Sequence, residues 1–152
     1  MNSPATIGMT DKVDIATVAM MSEAVPENPE AALLVRQMIS FSATYDHIVD
    51  RDDWEPDHVH TMIDILLHGL WTNKFYTANV TTFLPIIMNA IHSWKYAEQH
   101  PEYRLKVGDG LSELGCAMLY VSGGLHRLNE WGGRWRDQIL VLMEDSDNTN
   151  KE

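Results

Sequence analysis

Residues 28–50 read NPEAALLVRQMISFSATYDHIVD, and this stretch decides the fold class. Leu33, Leu34, Met38, Phe41, Tyr45, Ile48 and Val49 recur at three- and four-residue spacing. That period lays an apolar stripe along one side of a helix. The start is marked as well. Asn28 suits the cap, Pro29 the first helical position, and Glu30 faces the positive end of the helix dipole. The stripe predicts a helix ending near residues 50–53.

Working outward, a second helix is expected from Glu55–Asp57 to Leu67 or His68, with Gly69 ending it. Ile63, Leu66, Leu67 and Leu70 mark its apolar side. Residues 71–82, WTNKFYTANVTT, read as a connection with a short helical turn. The run LPIIMNAIHSWKY (84–96) predicts a third helix, with Pro85 tolerated in its first turn. A fourth covers roughly Glu102 to Val121. Ser122-Gly123-Gly124 is a break or a tightly packed helical passage. A last helix starts between Leu125 and Gly133 and includes Trp135, Ile139, Leu142 and Met143.

Upstream, residues 1–28 carry Pro4, Gly8 and Pro26 and read as an N-terminal arm, with Val13–Met21 a short helix or strand-like piece. The tail EDSDNTNKE, residues 144–152, is polar and acidic and is expected to be disordered. Nothing alternates with period two for long enough to compel a sheet. The expected fold is all-α: a compact bundle of about five helices over residues 29–143, with an irregular N-terminal arm.

The chain has 152 residues, a size for one domain. Its formal net charge is −11. Such a surface repels nucleic-acid phosphates and anionic lipid heads, so direct nucleic-acid binding is not expected. No apolar run approaches the length of a membrane span, and no secretory pattern is evident, so a cytoplasmic setting is the default. Cys116 is the single cysteine and sits in the apolar run LGCAMLY, where it reads as a buried small hydrophobe.

Several groups carry possible chemistry. Asp46 and Asp50, four apart, share a helical face and suit a divalent cation. His60, Asp64 and His68 form a row at spacing four and four, offering nitrogen, oxygen and nitrogen to a metal, although the pattern is not HExxH. Solvated boundary residues are the simpler reading of both sets. Asn89 and His92, three apart, suit a buried network tying helices, with Asp46 or Asp50 as partner. General acid–base use of His92 with Asp46 is the catalytic alternative. Arg127, Arg134 and Arg136 with Trp131 and Trp135 suit an anion or peptide contact, or pairing with the chain's own acids.

YDHIVDRDDW, then NKFY, then LPIIMNAIHSWKYAEQ resembles a group of small helical proteins of tailed bacteriophages whose function is unassigned. The resemblance spans roughly residues 32–137. It is carried by Asp46, Asp50, Asn73, Phe75, Pro85, Ala90, Trp94 and the glycines at 123 and 124. It implies a helical fold and a phage or prophage origin, hence host cytoplasm, and brings no activity or catalytic residue. Two functions remain. One is a non-enzymatic acidic interaction protein that engages a protein partner or its own copies, which clustered surface acids and an exposed apolar patch would favour. The other is a metal-dependent phosphohydrolase acting on a nucleotide or small phosphate compound. It would need a divalent cation and convergence of Asp46, Asp50 and the His60 row.

Overall fold

The computed structural model describes residues 11–50, 55–103 and 110–150. All regular structure among them is helical: α1 (Lys12–Ala24), α2 (Pro29–Asp50), α3 (Pro56–Asp64), a π turn (Ile65–Gly69), α4 (Leu70–Thr72), α5 (Lys74–Ala78), α6 (Val80–Gln99), a 3₁₀ turn (Pro101–Tyr103) and α7 (Gly110–Asn150).

α2 is the organising rod, packing against α1, α3, α5 and α7. Its N-terminus forms as its residues dictate, with the Asn28 side chain accepting the Glu30 N–H at 3.2 Å. The buried side is broader than one stripe. Ala31, Ala32, Leu34, Val35, Met38, Ile39 and Phe41 are all buried, because neighbours approach from several directions.

Within the expected arm, the helical alternative for Val13–Met21 is the one that forms, and it is packed. Asp11 caps α1 by accepting from Val13 N and Asp14 N at 2.8 and 3.1 Å. Val18 and Met21 are fully buried against the rest of the core. At the other end the helical backbone continues to Asn150, past the start of the expected disordered tail.

Two boundaries differ from expectation. Gly69 does not end the second helix. It is itself helical, at φ −55°, and lies so near α2 that a side chain there would meet Gln37 Nε2 at 2.9 Å. Helical backbone continues to Thr72, and Asn73 is the stop. α6 begins at Val80, so Pro85 lies inside it; exposed Thr81, whose carbonyl would have received the missing N–H, leaves that oxygen near water. Part of the expected fourth helix, residues 104–109, lies outside the described residues.

α7 is two helices joined at a sharp turn. Gly124 has φ 70° and ψ −164°, a conformation that glycine alone adopts easily. The Trp135 indole N–H donates to Leu111 O at 3.0 Å, across 24 residues. In a straight helix those positions would be about 36 Å apart. The two arms therefore run antiparallel, and Arg136 Nη1 donates to Ser112 Oγ at 3.3 Å beside the first bond. Gly115 makes the close approach possible, since a Cβ there would overlap the Trp135 ring. α1 packs on this hairpin, with Gln138 Nε2 donating to Thr17 Oγ1 at 3.1 Å.

Candidate functional site

The sequence-predicted groups are placed as follows. His60, Asp64 and His68 are all exposed, the first two on α3 and His68 within the π turn that follows it. Among the described residues no three His, Cys, Asp or Glu side chains converge to hold a metal. Asp46 is half-buried near the end of α2, where its charge, after burial and the charge of Glu98, helps push the Tyr45 hydroxyl pKa up. The Asp50 side chain lies outside the described part. Asn89 and His92 are exposed on α6 and do not form the buried network expected of them. The neighbouring Trp94 does join helices, with its ring centroid 6.2 Å from Phe41 and 5.7 Å from Tyr45 on α2.

The arginine–tryptophan group is divided. Trp135 is 1% exposed and belongs to the core. Arg127 pairs with Glu27, and that contact holds the Glu27 carboxyl below its ordinary range. Arg136 links the two arms of α7. Arg134 stacks over Trp131, 4.9 Å from the ring centroid. Much of the group therefore holds the protein's own helices together.

Beside Glu27 lies a groove of about 460 Å³ with Glu30, Lys74, Phe75, Asn79 and Ser122 on its walls. Its acids are already engaged. Glu30 Oε2 accepts Lys74 N at 2.8 Å and Phe75 N at 3.2 Å, a carboxylate at the N-terminus of α5. The neighbouring Asn73 is 1% exposed. Its Nδ2 donates to Glu30 O at 3.0 Å and to Gln37 Oε1 at 3.2 Å, while its Oδ1 accepts Tyr76 N at 3.0 Å. Both amide hydrogens are used, so Asn73 is a clamp between α2 and α5. An asparagine three residues before Tyr76 is the cap signal that marks it in the sequence.

Five of the thirteen large apolar side chains exposed among the described residues lie on α3, the π turn and α4. Val59 is 38% exposed, Ile63 45%, Leu66 39%, Leu67 73% and Trp71 57%. The expected apolar side is split: Leu70, with Ile65, is buried on the core side of the rod, while Ile63, Leu66 and Leu67 face water. Residues 59–71 are apolar on nearly every side of a helix, so periodicity alone does not select the packed face.

The π turn shapes this surface. Residues four apart on an α-helix drift about 40° around the axis per step, so a row at that spacing winds away. Leu70 N donates instead to Ile65 O, one residue further back than in an α-helix. The wider turn takes back part of the drift and keeps Leu67 and Trp71 close to the line of Val59 and Ile63. Trp71 is steadied by an edge contact with Tyr76, ring centroids 6.0 Å apart. At the other end His58 Nδ1 accepts Glu55 N at 2.9 Å, and its ring stacks on His47 of α2 at 4.7 Å, fixing the rod to the bundle.

Comparison with protein-family models, curated proteins and solved structures finds no match for the chain. Among the described residues no helix is long and apolar enough to cross a membrane.

Proposed function

We propose that this chain is a phage-type, acidic, helical protein-interaction module without catalysis of its own. One observation carries the reading: the apolar side chains Val59, Ile63, Leu67 and Trp71, four apart along the rod, and Leu66 stand in water while Ile65 and Leu70 of the same rod are buried. Together they expose on the order of 500 Å² of apolar surface, a size at which a monomer's largest patch is commonly a binding site. Covering a side chain as exposed as Leu67 contributes roughly 1–2 kcal/mol, which water alone does not return. The phage origin implied by the resemblance is part of the same proposal.

The metal-dependent phosphohydrolase requires Asp46, Asp50 and the His60 row to meet. The Asp50 side chain lies outside the described part, and among the described residues no three His, Cys, Asp or Glu side chains converge to hold a metal; no observation favours that reading over the first.

The test is site-specific photo-crosslinking in the cells that make the protein. A photoreactive residue at position 67 is expected to give a discrete protein adduct. The same residue at position 140, where Leu140 is 52% exposed on α7, is expected to give none. Loss of any adduct specific to position 67 would end the interaction reading for this face.

A further inference from the structure

Resting on that reading, we infer that the α3–α4 face receives a basic amphipathic helix. The shape of the face sets the first condition. The rod over residues 56–72 is about 25 Å long. A row at spacing four, held nearly straight by the π turn, matches the anchors of a helix laid alongside it. Leu67 is the most exposed of the apolar side chains, and Trp71 adds a flat ring at one end.

Charge sets the second condition. Residues 55–73 contain no Lys or Arg. Glu55, Asp57 and Asp64 are exposed on the same rod, as are His60 and His68. A second copy of the chain would bring these carboxylates against their own counterparts, under a net charge of −11 on each molecule. A helix with an acidic rim meets the same repulsion. Lysines or arginines flanking an apolar face meet carboxylates instead, and one of them can lie over the exposed Trp71 ring.

The probe is a designed peptide of about 18 residues with leucines three and four apart and lysines on both flanks, followed by fluorescence anisotropy. Its counterpart carries glutamate at every lysine. The lysine peptide is expected to bind the full chain, and Leu67→Asp or Ile63→Asp to weaken binding about tenfold or more, as removal of one buried anchor does. Leu140→Asp, whose exposure lies between those of Ile63 and Leu67 but on α7, is expected to leave affinity within about twofold. Binding is expected to fall as salt shortens the screening length from about 10 to about 3 Å. The double variant Asp57→Lys, Asp64→Lys is expected to transfer the preference to the glutamate peptide.

Four results would overturn the inference. They are equal binding of both peptides, equal weakening by Leu140→Asp, no binding at about 100 µM peptide, and a dimer dissociated by Leu67→Asp, which would assign the face to a second copy. A crosslinked adduct at position 67 without lysine-peptide binding would leave the interaction reading intact and remove only the basic helix.

Discussion

Asn73 stands where the end of α4, the start of α5 and the first turn of α2 meet. Its side chain ties α5 to α2 through bonds to Tyr76 N, Glu30 O and Gln37 Oε1. Truncation would remove the α5 cap and strand buried polar groups together. Asn73→Ala is expected to lower unfolding free energy by about 2–4 kcal/mol in denaturant titration. Asp14 carries a different tension. Burial, then the negative charges of Asp11 and Asp145, raise its pKa from 3.8 to about 6, outweighing the helix N-terminus that would lower it. The folded protein thus holds this proton more tightly than the unfolded chain does. The group's stabilising contribution is fully present below about pH 4 and is lost as pH rises through about 6. Asp14→Asn is expected to flatten that part of the pH–stability curve. Above pH 6 it should exceed the parent by about 1 kcal/mol, a figure already reduced for solvent screening.

At the scale of elements, the two-armed α7 depends on its turn. Gly124→Ala meets no neighbouring atom, so its whole effect is backbone strain. It is expected to cost about 1–3 kcal/mol and to lower the thermal midpoint, while any refolded protein keeps the same helical content by circular dichroism. The sequence was legible wherever an element carried its own punctuation. Asn28-Pro29-Glu30 marked α2, and the serine and paired glycines at 122–124 marked a candidate break. It was not legible where tertiary contact decided. Gly69 reads as a stop, yet it serves the approach of Gln37. Pro85 reads as a first-turn residue, yet α6 starts before it. The candidate site was half visible. The apolar residues of 59–71 could be read directly, but which of them the bundle would leave in water depended on how α2 packs against them. The arginine–tryptophan stretch misled for the same reason, since the core contact of Trp135 and the hydrogen bond of Arg136 to the facing arm are set by the fold of α7.

For the whole molecule, charge is the dominant surface property. A net charge of −11 stores self-repulsion in the folded state, and dissolved salt screens it. The thermal midpoint is therefore expected to rise as sodium chloride is increased from about 0.01 to about 0.15 M, where the screening length falls from roughly 30 to 8 Å. Scanning calorimetry at fixed pH measures this directly, and a falling midpoint would mean that ion pairs such as Arg127–Glu27 outweigh the bulk repulsion.

The bond from Gln138 to Thr17 spans 121 positions of chain. On the ribosome, α1 emerges long before the arm that will cover it. At ordinary elongation speeds the delay is on the order of ten seconds. α2 shelters one flank of α1 early, but the packing of α1 against α7 waits until that helix has been made. Biosynthesis thus includes an interval in which α1 is half-dressed, and residues made 121 positions later help to close it.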